Sequence, residues 1–331
     1  MLEFSIIHAD DRRSRLERWL ADELDDAHFA LTPASEDASF RRYFRATLAD
    51  GRSFVIMDAP PEKEDCRPFL HVARLLHDAG VHAPAVHAAD LAAGFLLLSD
   101  LGTRTYLAEL EASNADALMR DAIAALVRWQ LATKPNELPP YDEALLRREM
   151  NLFPEWYVGR HRRKNLTPAQ AQALEGIFAA LVKSALAQPT VYVHRDYMPR
   201  NLMLTDPNPG VLDFQDAVIG PITYDIVSLM RDAFISWEEE RVLDWSVRYW
   251  EKARAARLPV PADFVQFWRA FEWMGLQRHL KVLGIFARLT YRDGKAKYVA
   301  DTPRFLGYAC AVAKRYRELA PLATLLEEVE A

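Results

Sequence analysis

Cysteine is almost missing from this chain of 331 residues, which carries only Cys66 and Cys310. The two thiols have neither metal-ligand spacing nor the pattern of a disulfide framework. A stapled secreted scaffold is thereby excluded, and isolated thiols suit a reducing compartment, where both read as small apolar filler. Glycine is sparse at 12 residues, and there is no low-complexity tract or internal repeat, so collagen-like, linker-rich and solenoid architectures are excluded. No window approaches the roughly 18 continuous apolar residues of a membrane span. The opening MLEFSIIHADDRRSRLERWL turns charged too early for a signal peptide. The expectation is a cytoplasmic protein with no membrane partner. An excess of positive charge is missing too: 41 Lys and Arg stand against 47 Asp and Glu, a net −6, which argues against nucleic acid as a partner.

What is present is the balance of a globular enzyme, half apolar and 27% charged. A single core seldom grows past about 250–300 residues, so the length implies two domains or one two-lobed body. Charge is unevenly spread. From Arg241 to Lys297 there are 12 Lys or Arg and 5 Asp or Glu, which makes this stretch locally basic.

Residues 11–24 place Leu16, Leu20 and Leu24 four apart among charges, the pattern of an amphipathic helix. Phe40 to Thr47 and Arg52 to Met57 read as strands joined by the turn Ala49-Asp50-Gly51. A helix is expected over 65–79, stopped by Gly80, followed by strands at 85–89 and 94–98. Beyond the connector Ser99 to Gly102 the periodicity is helical over 118–131, 168–186, 238–256 and 261–283. The exception is a strand at 190–193 and a small hairpin, Leu202 to Leu204 and Val211 to Leu212, around the turn 206–210. The fold class expected is α+β, with an antiparallel-sheet lobe over 1–100 and a mainly helical lobe over 101–331.

The densest chemical signal is VYVHRDYMPRNLMLTDPNPGVLDFQDAVIGPITYD, residues 191–225. Phosphoryl transfer from ATP needs a carboxylate to orient the attacking hydroxyl and accept its proton, and oxygen ligands to hold Mg²⁺ against the phosphates. Asp196 supplies the first, and Asn201 and Asp213 the second, in the H-R-D-x-x-x-x-N and D-F spacing of kinase-like sites, with Gln215 where protein kinases carry glycine. His194 reads as a brace of the loop backbone. Asp225 reads equally as a tie for that loop or as a cap on the helix beginning beside it.

The segments HRDYMPRNLM, VLDFQDAVIGPITYDIVSL and QRHLKVLGIFARLTYRDGKAKYVADTPR, with MDAPP near residue 57, resemble the aminoglycoside phosphotransferase superfamily. Within it they resemble the branch of anomeric kinases for N-acetylmuramate and N-acetylglucosamine used in peptidoglycan recycling. The resemblance runs nearly end to end. It implies a protein-kinase-like fold, ATP and Mg²⁺ as co-substrates, and transfer of the γ-phosphate to the sugar C1 hydroxyl. A kinase for another small hydroxyl compound, or a nucleotide-binding regulatory pseudokinase, is the alternative reading.

Two features depart from the kinase pattern. Between Phe29 and Val55 the only glycine is Gly51, so Ser35 to Ser39 must cover the phosphates, with Ser39 the candidate donor. Met57 stands where a lysine ordinarily meets the phosphates, and a thioether carries no charge. Lys63, Arg41 and Arg45 are the candidate replacements, and Arg41, Tyr43 and Arg45 share one strand face by the period-two rule. By analogy Leu97, Leu98 and the backbone of Ser99 to Leu101 form the adenine slot. For the acceptor, an arginine could grip the lactyl carboxylate of N-acetylmuramate through a bidentate pair. Arg278, Arg288 and Arg292 are the candidates, with Gln277 and His279 for hydroxyls or the acetamide. Trp245, Trp250, Trp268 and Trp273 recur at helical spacing and read as core rather than as a choline cage. Nothing in the sequence sets an oligomeric state.

Overall fold

The computed structural model describes residues 2–35 and 40–331, with the side chains of 2–10 and 35 outside the description. The chain divides into two compact units, Met1–Arg104 with Thr205–Asp216, and Thr105–Leu204 with Ala217–Ala331. The expected boundary near residue 100 is displaced by only a few positions. The expectation that all of 101–331 forms one lobe needs correction, because Thr205–Asp216 groups with the first unit. The cause is local bonding: the Val211 N–H donates to the His82 carbonyl at 2.8 Å, and the Phe214 ring tilts against Phe69 at 4.7 Å.

The first unit holds α1 (Leu2–Leu24), β1 (Phe29–Ser35), β2 (Arg42–Leu48), β3 (Ser53–Asp58), α2 (Arg67–Asp78), β4 (Val86–Asp90) and β5 (Phe95–Ser99). The sheet order is β1-β2-β3-β5-β4, antiparallel throughout. Strand β1 is absent from the sequence reading because Pro33 interrupts it. Its place at the sheet edge, with a register shift after Pro33, is where a residue without an N–H is tolerated. Leu16 and Leu20 of α1 bury against Ala46, Ile56, Phe95 and Leu97. Each such leucine contributes roughly 1.5–3 kcal/mol of apolar burial. Pairing puts Tyr43, Met57 and Leu96 on the opposite face, with Arg45, Val55 and Leu98. Between β4 and β5 the chain turns at Gly94, whose φ is +75° and where a Cβ would lie 1.9 Å from the Ala59 carbonyl oxygen.

The second unit contains α3 (Tyr106–Glu109), α4 (Ala115–Leu131), α5 (Glu143–Met150), a π-helical segment (Phe153–His161), α6 (Pro168–Leu186) and β6 (Thr190–Val193). Leu202–Met203 and Gly210–Val211 are the short strands β7 and β8, the latter within the returning segment of the first unit. There follow β9 (Val218–Pro221), α7 (Tyr224–Met230), α8 (Glu239–Ala255), α9 (Phe264–Tyr291), α10 (Thr302–Arg315) and α11 (Ala320–Glu330). Strand β6 pairs antiparallel with β9, from Thr190 opposite Pro221 to Val193 opposite Val218. Helix α9 runs beyond the expected end at residue 283. Gly284 is a contact and not a stop, since a Cβ there would meet the Leu152 carbonyl carbon at 2.3 Å. Among the described residues no helix is long and apolar enough to cross a membrane.

Candidate active site

Strand β6, built of β-branched and aromatic residues, is buried from Val191 to Val193 and delivers the chain into the loop that begins at His194. Asp225, the second residue of α7, is fully buried and straps that loop by its backbone. Its Oδ2 accepts the His194 N–H at 2.7 Å and its Oδ1 the Arg195 N–H at 3.0 Å. Arg195 turns the chain at a φ of +76°. The Asp196 N–H then donates to His194 Nδ1 at 3.3 Å, and the Asn201 amide nitrogen donates to the Asp196 carbonyl at 2.9 Å. Tyr197 anchors the middle of the loop by donating to the Ala122 carbonyl at 2.8 Å. Asp225 thus holds the loop backbone, His194 accepts a hydrogen bond within it, and Asp196 and Asn201 lie in the same strapped loop.

Two carboxyl groups behind the loop are pushed in opposite directions. Burial raises Asp225 to about 7, helped by the charge of Asp196 and opposed by the two N–H groups and Arg278. Burial also works against Glu149. There the Lys281 ammonium, the Arg195 guanidinium and the Tyr141 hydroxyl outweigh it and hold the carboxyl at about 2, below its ordinary 4.5. A depressed carboxyl contributes stability above its unfolded pKa and loses it as pH falls through the folded one. Unfolding by urea, followed stepwise from neutral pH to about 2, is expected to show roughly 3 kcal/mol lost below pH 4.5 from Glu149. A Glu149→Gln chain should lack that part of the slope; equal slopes would mean that the carboxylate is not held low.

In the first unit Asp213 sits in the left-handed region at a φ of +61°, and its Oδ1 accepts the Gln215 amide at 2.9 Å. Six described non-glycine residues have positive φ, and two of them, Arg195 and Asp213, fall inside the phosphotransfer motif, where strain commonly marks function. Among the candidate cations, Arg45 is engaged bidentately by Asp100 at 2.6 and 3.0 Å and by the Gly102 carbonyl at 2.9 Å. Lys63 lies over the Phe40 ring at 4.7 Å. Arg41 pairs with Glu64 at 3.0 Å. Burial acts against the Arg41 cation, but its interactions with Tyr43 and with the Glu64, Asp216 and Asp213 carboxylates outweigh it and raise the guanidinium above its ordinary value. Asp213 is among the charges that act on Arg41. Ser39 lies outside the described residues. Leu98 is buried on the Met57 side of the sheet, whereas Leu97 packs in the α1 core on the other side, which removes it from any shared slot with Leu98. The Ser99 N–H is taken by the Ala85 carbonyl at 2.9 Å, and Leu101 is half-buried.

Helix α9 separates the acceptor candidates that sequence proximity had grouped. At 1.5 Å per residue, Arg288 and Arg292 lie about 15 and 21 Å along the axis from Arg278. Arg292 is exposed and pairs with Asp293 at 2.7 Å, while Arg288 is half-buried with no partner at Nε. Arg278 is buried and donates to the Arg231 carbonyl at 3.4 Å. His279 is buried between the Phe305 and Tyr308 rings, and neither ring nitrogen has a partner. Burial, with Arg278 and Arg231 nearby, drives its pKa well down and keeps the imidazole neutral. The four tryptophans serve packing: Trp245 is buried and donates to Asp116 at 2.9 Å, Trp250 donates to the Pro261 carbonyl at 2.8 Å, and Trp268 stacks on Phe271 at 5.0 Å. Trp273 lies under the Arg269 guanidinium at 4.3 Å.

Sequence reasoning missed Glu149, Lys281 and Asp232. Asp232 is fully buried, with Oδ1 accepting the N–H groups of Phe234 and Ile235 at 2.7 and 3.1 Å and Oδ2 without a partner. The available signal was a charged residue inside an apolar helical stripe, which Lys281 offers and the other two do not.

Residues 30–260 match the phosphotransferase enzyme family. The chain belongs to that family. Its relatives include the N-acetylmuramate/N-acetylglucosamine kinase of Pseudomonas putida, 54% identical and covering 97% of this chain and 98% of that protein. A protein of the same name from Caulobacter vibrioides is 32% identical over 82% of this chain and 84% of its own. Among solved structures, a choline kinase from Streptococcus pneumoniae has a TM-score of 0.63 at 10% identity, covering 90% of this chain and 99% of that one. An ADP-bound aminoglycoside phosphotransferase has a TM-score of 0.58 at 15% identity, covering 89% and 97%. The kinase-like fold expected from the sequence is therefore the fold of this phosphotransferase: an antiparallel sheet in one unit and helices in the other. Family chemistry implies ATP and a divalent metal. Asp213, in the first unit, and Asn201, in the second, each carry the oxygen donors that a hard cation takes. Among the described residues no group of three His, Cys, Asp or Glu could hold a metal ion by itself.

Proposed function

We propose that this phosphotransferase uses ATP to phosphorylate the C1 hydroxyl of N-acetylmuramate and N-acetylglucosamine, in the cytoplasm, as a step of cell-wall recycling. The observation that carries the reading is the strapped loop that presents Asp196, in a chain 54% identical along nearly its whole length to a kinase bearing that substrate name. Asp196 orients the sugar hydroxyl and takes its proton as the oxygen bonds to the γ-phosphorus. The bond from that phosphorus to the β-phosphate oxygen breaks, and ADP leaves. Asn201 and Asp213 would hold Mg²⁺, which when bound neutralises charge on the phosphates. Arg41 supplies the phosphate-facing cation in place of the missing lysine; its support is the field it shares with Asp213. Arg45, Lys63, Ser39 and the Leu98 to Leu101 segment remain assigned to the nucleotide with lesser roles.

For the acceptor, support comes from buried polar atoms left without protein partners: Asp232 Oδ2 and both nitrogens of His279, with Arg278 acting on Asp232 electrostatically. Hydroxyl and acetamide groups of a sugar are suited to such atoms, and Arg278 to a carboxylate. Arg288 and Arg292 serve at most the outer part of an approach path.

The test is incubation with MgATP and, separately, N-acetylmuramate, N-acetylglucosamine, choline and kanamycin, with product mass and phosphate position read by phosphorus NMR. The expected product is the 1-phosphate of each amino sugar. Phosphate on any other oxygen, transfer to choline or kanamycin alone, or no transfer to any acceptor would overturn the reading.

A further inference from the structure

Three charged side chains that the sequence keeps far apart meet inside the helical unit. Glu149 of α5 places Oε1 at 2.6 Å from Arg195 Nη2 and 3.0 Å from Lys281 Nζ of α9. Its Oε2 accepts the Gln277 amide at 3.3 Å and the Tyr141 hydroxyl. Lys281 also donates to the Tyr224 hydroxyl at 3.0 Å. The Glu149 and Lys281 side chains are 6% and 9% exposed, so the charges are held away from water.

The two residues gripped are telling. Arg195 directly precedes Asp196, and Tyr224 directly precedes Asp225, whose carboxylate straps the loop. One carboxylate thus ties together the residue beside the base and, through Lys281, the residue beside the strap. Stability alone is a poor reason for such a cluster, because buried ion pairs rarely outperform apolar side chains of similar volume. What hydrogen-bonded charges provide is direction and distance. Proton transfer and in-line attack need both, since a displacement of about 1 Å can cost about 100-fold in rate.

We infer that Glu149 and Lys281 are positioning residues for the reaction: an internal counter-ion pair that fixes Arg195, and with it the main chain carrying Asp196. The inference rests on Asp196 being the base. Phosphorylation orders loops in switched kinases by giving an arginine a phosphate partner. Here the partner of the arginine is a carboxylate built into α5.

The test uses the full-length enzyme and whichever acceptor the wild type phosphorylates. Glu149→Gln is expected to lower kcat about 100-fold while KM for MgATP and for the sugar stay within about threefold. Lys281→Met, which leaves the Glu149 to Arg195 pair intact, should lower kcat about tenfold with the same KM pattern. The triple change Glu149→Met, Arg195→Met, Lys281→Met removes every buried charge of the cluster and guards against a variant that simply unfolds. Its melting temperature should return to or exceed the wild-type value while kcat stays about 100-fold down. A folded Glu149→Gln enzyme with wild-type kcat, or a triple variant that recovers rate along with stability, would overturn the inference and leave a structural role. A wild type inactive on every acceptor would instead count against the proposed function, which keeps the two failures apart.

Discussion

Asp196→Asn is expected to lower kcat by about 10²–10⁴-fold, the range a positioned general base contributes, with MgATP affinity unchanged. Asparagine keeps the shape and can still hydrogen-bond a sugar hydroxyl, but it cannot receive that proton near neutral pH. The loop should survive the change. Its straps run through backbone atoms: the N–H groups of His194 and Arg195 on Asp225, and the Asp196 carbonyl on Asn201. Steady-state rates with calorimetric nucleotide titrations would separate the effects. A variant turning over at the wild-type rate would remove Asp196 as the base, and a variant that lost rate and nucleotide binding together would mean that the residue organises the site rather than the proton transfer.

The second large effect is expected at Asp213. Removing a carboxylate ligand should weaken Mg²⁺-dependent ATP binding by about 100-fold or more, at least the upper range seen when groups supporting a ligand are lost. The substitution needs care because Asp213 has a φ of +61°. Alanine pays for that conformation, whereas asparagine tolerates it and accepts the same hydrogen bond from Gln215. Asp213→Asn therefore isolates the charge. Titration of ATP with and without Mg²⁺ should show the loss only when the metal is present. An equal loss in both would place the effect in the fold of the returning segment and not in metal ligation.

Much of this was legible along the chain. The leucines of α1, the turn at Gly51 and the helical stop at Gly80 are local signals, and the end of α1, the β2–β3 turn and the end of α2 fell within a few residues of their expected places. The spacing of Asp196, Asn201 and Asp213 was readable because a loop and a turn fix it over short separations. Strand β1 was not readable, since Pro33 hides an edge strand whose partner decides it. The end of α9 was not readable either, because the contact of Gly284 with Leu152 is made only in the folded chain.

By itself the sequence determined the α+β class, the spacing of Asp196, Asn201 and Asp213 and the absence of a lysine at Met57. Those features depend on neighbours a few positions away, where helical and strand periodicity and loop spacing operate. Only the tertiary structure decided that Asp225 holds the loop by its backbone, that Glu149 and Lys281 lie behind Arg195, and that Arg278 and Arg292 stand about four helical turns apart. Burial decides whether a charged residue is solvated or must find a partner. It follows from contacts between residues far apart in the chain, which no local pattern encodes.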